Sequence, residues 1–418
     1  MSVANAYAGE QVSFDPMSQG NLRDPFAMFE RLRHKGPVYW NGQYSFWMVS
    51  GYDEVKSVLQ DVDHFSSATE GAVAKRAEGL PASSLASFEI GKRFFHRHLQ
   101  TADAPVHTLH RRAVMRGLMP LVSGVVKQSL ENRVDRLIDV LIAKGSSDFV
   151  SDFAYPLPAQ VIFDLLGIPE EEHATIRDTA ELFWQFPAAV YRQDVELLDR
   201  IAALALRSEA VLLRLLEERR ISPKVDLISA LVRPEVSENA IPDDDIVVMC
   251  TFLLMAGHET TANLLSGSIL HLLQEREHWT QLLLNPLLIP GAVEELLRFV
   301  SPVLWVARVV RQDVRLEGHR LYAGQEVRVS IGAANRDPKR FVHPEKLILS
   351  RSEGTPIAFG YGLHSCVGAA LARMEASAAL RGLLLRTPDM RLQTDTFDYA
   401  PIYFLRTLKS LPIAVRKS

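Results

Sequence analysis

The chain has 418 residues, 47% apolar and 23% charged, with 46 Lys and Arg against 50 Asp and Glu and a formal net charge of −4. That length supports a large buried core, the composition is that of an ordinary globular protein, and the near-neutral balance offers no global attraction to nucleic acid or an anionic membrane. Two cysteines, Cys250 and Cys366, exclude a disulfide framework and suit a reducing cytoplasm.

The N-terminal MSVANAYAGEQVSFDP has no basic stretch leading into an apolar one, so no signal peptide is expected. No apolar run approaches the roughly 18–20 residues of a bilayer span. Strand-like pieces, PVYW and YSFWMVS, fall near residues 37–50. Residues 66–105 read as the longest irregular stretch, and loops of that length in compact domains are usually functional or mobile. Charge is uneven here: no acid lies between Asp103 and Glu131, whereas Arg111, Arg112, Arg116 and Lys127 are present, and GKRFFHRH (91–98) comes just before. Two readings stand, a solvated basic face or a site for anionic groups on a ligand or an acidic partner. In 122–145, Val126, Leu130, Val134, Leu137, Ile138, Leu141 and Ile142 recur at helical spacing, and Gly145 is a stop signal. The segments 170–187, 194–220, 243–275, 291–300 and the alanine-rich 366–385 read as helices too. VRLEG, RLYA and EVRVSIGA, between 314 and 333, read as strands, and the tail IYFLRTLKSLPIAV as a small hairpin. Helix dominates, with a minor β part split between early and late sequence. This predicts a mainly α, α+β class and one compact domain over 1–418 with two subregions.

Two stretches break these patterns. Residues 253–265, LLMAGHETTANLL, set Gly257, His258, Glu259, Thr260 and Thr261 inside an apolar helix that begins at Ile246. Unpaired buried polar groups cost about 1–3 kcal/mol each, and a mid-helix glycine about 1 kcal/mol, so the insertion needs a compensating role. A zinc-protease helix is excluded, because HExxH needs a second histidine where Ala262 stands. The second stretch is AFGYGLHSCVGAALARMEA (358–376). Gly360, Gly362 and Gly368 free the backbone and clear side chains around Cys366. A helix starting at or just after Cys366 would favour its thiolate. Nucleophile, redox thiol and metal ligand all remain open. The absence of CxxC removes zinc ribbons and dithiol redox motifs, and Ser365 spoils a GxGxxG nucleotide loop.

FGYGLHSCVGAALARME resembles the haem-binding loop of the cytochromes P450, Phe-Gly-x-Gly-x-His-x-Cys-x-Gly-x-x-Leu-Ala-Arg-x-Glu, at every fixed position. The resemblance covers essentially the whole chain. It implies the cytochrome P450 fold, with haem between the distal helix (about 243–275) and the Cys366 loop and helix. Cys366 would be the proximal thiolate ligand to iron, favouring O–O cleavage. Phe359 would pack beside it, with Gly360 and Gly368 at the haem and His364 toward a propionate. Glu295 and Arg298 match the family's Glu-x-x-Arg, a buried structural pair. In SPVLWVAR, Arg308 takes the place of a propionate-binding arginine, and AANRDPKRFVHPEK (333–346) resembles a further family segment. PEKLILSR departs from it, Leu347 and Ile348 standing where the family has Phe-Asp before the arginine. Upstream, TADAPVHTLHRR (101–112) resembles a segment whose histidine and arginine, here His107 and Arg111, hold the other propionate; Ala104, Val106, Leu109 and His110 depart from its pattern.

By the same resemblance AGHETT is the distal motif. Ala256 and Gly257 would lie at the haem, Gly257 leaving room for O2; Thr260 would hydrogen-bond the reacting oxygen or an ordered water, and Glu259 would relay protons. His258 has no expected catalytic role. The expected activity is a haem-thiolate monooxygenase, with haem b (iron-protoporphyrin IX), inserting one oxygen atom from O2 into a lipophilic small molecule by hydroxylation or epoxidation. Rivals are the same oxidant used for desaturation, coupling or rearrangement, and a non-catalytic haem sensor or carrier. With no flavin or iron–sulfur module in the chain, electrons from NAD(P)H would come through a ferredoxin or flavodoxin with its reductase. The basic stretch 91–116 is the candidate docking face. A cytoplasmic monomer without nucleic-acid or membrane partners is expected. Pocket candidates are Phe183, Trp184, Phe186, Phe252, Met255, Ala256, Leu304, Val306 and Phe404, apolar and aromatic as a lipophilic substrate requires.

Overall fold

A computed structural model describes residues 14–16, 18–233 and 241–415. In chain order, α1 (Gln19–Arg23) and α2 (Pro25–Arg33) precede β1 (Val38–Asn41) and β2 (Phe46–Val49). Asp24 caps α2 by accepting from the Phe26 and Ala27 N–H groups, with Pro25 at the first position. Then come α3 (Tyr52–Gln60), β3 (Phe65–Ser66), α4 (Glu70–Arg76), α5 (Leu85–His96) and α6 (Val106–Leu121). A π turn over Val122–Val126 leads into α7 (Lys127–Lys144), β4 (Ser146–Asp148), α8 (Pro156–Leu166), α9 (His173–Phe183), α10 (Phe186–Arg192), α11 (Val195–Ile221) and α12 (Leu227–Leu231). The longest helix, α13 (Asp243–Gln274), is followed by α14 (Arg276–Leu284) and α15 (Ile289–Val300). Strands β5 (Val306–Val310), β6 (Val314–Leu316), β7 (His319–Leu321) and β8 (Glu326–Val329) precede α16 (Ile331–Ala334), α17 (Ala369–Arg386), β9 (Arg391–Leu392) and β10 (Pro412–Ala414).

The chain divides into two compact units that interleave in sequence. The mixed unit comprises the residues up to Thr69, Glu294–Ser365 and Asp398–Thr407. Its five-stranded sheet has the order β1-β2-β8-β5-β3. β1 and β2 form an antiparallel hairpin with Trp40 opposite Trp47; β2 runs parallel to β8; β8 and β3 both pair antiparallel with β5. One face packs Trp47, Val49, Val327 and Val329 against Val55 and Leu59 of α3. β-branched and aromatic residues suit this half-buried pleated surface.

The helical unit comprises Glu70–Val293, Cys366–Phe397 and the residues from Leu408. α13 is its axis: α5, α8, α9, α11, α14 and α17 all pack on it. That explains why its apolar residues run all round, since a helix buried on every side needs no polar face. Among the described residues, no helix is long and apolar enough to cross a membrane.

The expected helices are present, with boundaries shifted by a few residues, but two readings need correction. Residues 66–105 are not irregular: α4 and α5 occupy much of the span, and α5 buries Phe88, Gly91, Phe94 and His96. The tail is no self-contained hairpin. Its last strand, β10, pairs with β4 and β9, so its partners are remote in sequence.

Candidate functional site

The interrupted helix is intact. α13 runs as one α-helix through its glycine and polar residues. Between Ile246 and Leu270 every residue is buried except Ala256, Gly257 and Thr260. These three lie at i, i+1 and i+4 and so share one face of a single turn. The Thr260 hydroxyl donates to the Ala256 carbonyl at 2.7 Å. Gly257 corrects an expectation. A Cβ there would meet Ile162 of α8 at 3.2 Å (Cδ1), so its smallness serves the approach of α8 to α13. Glu259 and His258 are buried, at 7% and 3% exposure. The His258 ring packs edge-on against Tyr155, with centroids 3.9 Å apart at 89°. Burial holds the imidazole neutral, lowered from 6.5 to about 3.

Cys366 follows a 3-10 turn, Gly362–His364, and α17 begins at Ala369, three residues beyond the sulfur. The expected thiolate-favouring helix end is therefore outweighed. Burial, the largest influence, pushes the thiol above its ordinary value, against the Gly368 N–H and the Arg111 and Arg373 charges. The residue is nevertheless exposed by surface area. The exposure reads the opening at the sulfur, and the raised thiol reads the protein packed behind it. A Cβ on Gly368 would have only Cys366 Sγ within 4 Å, at 3.9 Å, so the sulfur's flank is bare.

His107 and Arg111 lie one turn apart on α6, His107 wholly buried and Arg111 half-buried. Burial lowers the Arg111 guanidinium, and the charge of Cys366 opposes that. Within the helical unit the thiol, a nearby cation and the helix led by the thiol, packed on α13, thus belong to one assembly.

The mixed unit carries the other expected residues. Arg308 sits in β5 opposite Val327, is 4% exposed and donates from Nη1 to the Ala307 carbonyl at 2.8 Å. His364 ends the 3-10 turn, its Nε2 3.0 Å from the Ser67 hydroxyl. Phe359 is half-buried. Gly360 and Gly362 both have φ of +71°, but for different ends. A Cβ on Gly362 would lie 2.8 Å from the Leu59 carbonyl oxygen, a close backbone approach, whereas one on Gly360 would have only the His364 carbonyl oxygen within 4 Å, at 3.8 Å. Glu295 and Arg298 form the expected buried pair at 2.7 and 2.8 Å. The arginine of PEKLILSR, Arg351, joins them at 3.1 Å.

Several pocket candidates are core instead. Phe183 is wholly buried edge-on to Phe94, and Phe186 stacks on Phe88 over Gly91. Met255 and Trp184 are buried, and Leu304 packs in the mixed unit's core beside Phe29. Phe252 stacks on His98, with centroids 4.1 Å apart at 10°. Val306 and Phe404 keep partial exposure. The basic face also shrinks. Lys92 pairs with Glu89, Arg93 with Glu209 and Arg97 with Asp245, while His96 and His98 are buried. Arg112 and Arg116 remain exposed on α6. Sequence reasoning missed Tyr155, which sits in no spacing pattern; only its neighbours in space, Glu181 and His258, reveal it.

The donor set fits haem. Among the described residues no group of three or more His, Cys, Asp or Glu could hold a bare metal ion. A metal on Cys366 would take its other ligands from outside the chain, as a porphyrin provides, and coordination removes the thiol proton that burial retains. The family model described as "Cytochrome P450" matches residues 287–393. The polyketide biosynthesis cytochrome P450 PksS of Bacillus subtilis (strain 168) is 32% identical, over 98% of this chain and 100% of its own. The steroid C26-monooxygenase of Mycobacterium tuberculosis (strain CDC 1551 / Oshkosh) is 35% identical, over 76% of this chain and 85% of its own. Among solved structures, P450BioI in complex with hexadec-9Z-enoic acid ligated acyl carrier protein superposes with a TM-score of 0.84 at 30% identity, over 95% of this chain and 100% of that one.

Proposed function

Because the chain belongs to the cytochrome P450 family and is one of its monooxygenases, we propose that Cys366 is the proximal ligand of a haem b and that Glu259 and Thr260 manage protons on its distal side. The observation that supports this is the open turn Ala256–Gly257–Thr260 on a helix otherwise buried over 246–270, in the unit that holds Cys366. When bound, haem supplies oxygen activation at iron, with the thiolate lending electron density that favours O–O cleavage. The residues of the chain do the rest. Ala256 and the Gly257 backbone leave the turn uncovered. Thr260 orders water or the reacting oxygen by its hydroxyl, and Glu259 passes protons toward it. His107 and Arg111, and in the mixed unit Arg308 and His364, would neutralise propionates by charge-assisted hydrogen bonds. Phe359, Gly360 and Gly368 would flank the haem. Cys366→Ser tests the assignment: the reduced CO complex loses its long-wavelength absorbance, and an unchanged spectrum overturns the ligand.

We further propose that residues 1–418 act as one haem domain, a cytoplasmic monomer, with electrons from NAD(P)H through a separate ferredoxin or flavodoxin and its reductase. Exposed Arg112 and Arg116 are the docking cations. Reversing both charges raises the apparent KM for the partner, more at low salt; no change at either salt rejects that face. The substrate is proposed to be a lipophilic molecule of the acyl or polyketide class. Support comes from the apolar, partly exposed Val306 and Phe404 and from relatives whose names concern polyketide biosynthesis and a carrier-bound fatty acid. A Soret-shift screen of free acids, carrier-protein thioesters, steroids and macrolides separates these classes.

A further inference from the structure

Tyr155 precedes α8, at its N-terminal end, and is half-buried. Its hydroxyl donates to Oε1 of Glu181, an exposed carboxylate on α9. Its ring lies edge-on against His258, the residue before Glu259 on α13. The His258 Nε2 is buried with no hydrogen-bond partner among the described residues. Both α8 and α9 pack directly on α13. One phenol therefore touches a solvent-facing acid on one side and the distal motif on the other. The charges acting on it agree. Burial, the Glu181 hydrogen bond and charge, and the Glu259 charge all raise the phenol far above its ordinary value, with Arg177 opposing. Tyr155 stays a neutral hydroxyl that feels both carboxylates at once.

We propose that Tyr155, held by the surface carboxylate of Glu181 and seated on His258, is the positioning residue that connects solvent to Glu259 and carries protons to it. The inference rests on the reading of Glu259 as the distal acid. Each transfer balances. Protonation of Glu181 from solvent reverses the observed hydrogen bond: the acid then donates to the phenol oxygen, the phenol turns its own hydrogen away from Glu181, and as Glu181 gives up its proton that hydrogen leaves toward the Glu259 carboxylate, directly or through one water. Glu181 is left as a carboxylate, Glu259 as a carboxylic acid and Tyr155 unchanged. No electron moves, and the raised phenol excludes a free phenolate on the way. His258, neutral in its buried setting, fixes the ring without competing for the proton.

The test uses three variants, Tyr155→Phe, Glu181→Gln and Glu259→Gln, with fluorotyrosine placed at position 155 as a probe that needs no turnover. In fluorine NMR of the haem-loaded enzyme in its diamagnetic reduced CO form, the resonance at 155 moves in Glu181→Gln and in Glu259→Gln alike. A shift in Glu181→Gln alone makes Tyr155 a tie between α8 and α9 and overturns the relay. In the haem-loaded enzyme, general acid–base groups contribute about 10²–10⁴-fold, and losing the group behind the acid removes part of that, about tenfold in product per reducing equivalent. Both Tyr155→Phe and Glu181→Gln show this fall, with peroxide rising and a larger effect of heavy water, at unchanged thermal midpoint and Soret position. If Glu259→Gln lowers the yield and the other two do not, the relay fails while the distal acid stands. If Glu259→Gln leaves the yield intact, the distal-acid reading fails first, and the relay with it.

Discussion

Two of the buried sets of charged and polar side chains, one in each unit, are finished differently. In the mixed unit, Arg298 donates to both oxygens of Glu295 and to the carbonyls of Asn335, Pro344 and Lys346, all within 3.0 Å. Glu295 further accepts from the Ile348 N–H and from Arg351. In the helical unit, His258 and Glu259 are almost as deeply buried, yet His258 keeps a nitrogen with no partner among the described residues and Thr260 stays partly exposed. A network whose donors and acceptors are all used holds a fold, because any rearrangement breaks several bonds. One with open valences holds less, and can rearrange when a ligand or a proton arrives.

The contrast can be tested from its heaviest consequence downward. Arg298→Ala leaves Glu295 a buried, half-partnered charge, which costs about 3–5 kcal/mol; urea unfolding should show a lost or strongly lowered midpoint, and a loss under 1 kcal/mol would mean that the network is not saturated in solution. Thr260→Ala, at the open set, should instead leave the unfolding midpoint nearly unmoved, since its side-chain bond to Ala256 is worth only about 1 kcal/mol. Its effect should fall on chemistry: product per NAD(P)H drops and peroxide takes the difference. Parent-level coupling would remove Thr260 from the proposed role.

Glu375 is an intermediate case. It is buried on α17, its Oε2 has no partner among the described residues, and burial raises its carboxyl from 4.5 to about 8. The folded state therefore binds a proton that the unfolded chain has lost above pH 4.5, so this group's contribution to stability falls as pH rises toward 8. A tenfold difference in proton affinity between the folded and unfolded chain is worth about 1.4 kcal/mol. Glu375→Gln should gain on the parent as pH goes from 7 to 9. The buried His96, His98 and His258, lowered to about 4, 3 and 3, do not titrate in that window. A constant difference between the two proteins would show that Glu375 is ionised in the native state.

How much of this was legible in the sequence depends on how local each signal is. The sequence predicts α13 over 243–275 and the helix spans Asp243–Gln274, because a long apolar run behind an acidic first turn is a local pattern. The Cys366 loop was legible because its glycines, histidine and cysteine stand within one short stretch. α5 was lost because Gly79 and Pro81 break the run before it and its apolar face is meaningful only against α11. The tail failed for the reason common to strands: Ile413 pairs with Ser147 and Leu392, and no spacing announces a partner so far away. The resemblance makes Gly257 clearance for oxygen, whereas its missing Cβ faces Ile162, a residue on another helix that no local pattern announces. Tyr155 gave no signal in YPLPAQ, since its meaning comes from Glu181 and His258.

The Thr260 hydroxyl has a single hydrogen, and the Ala256 carbonyl already holds it. What the side chain turns toward the open side of its turn is therefore lone pairs. In this arrangement Thr260 can receive a hydrogen bond, from a water or from a protonated oxygen, but cannot give one. To become a donor there it must rotate away from Ala256 and leave that carbonyl to find another partner. The residue thus has a built-in polarity: it steadies groups that already carry a proton and does not protonate bare ones, a task left to the acid beside it.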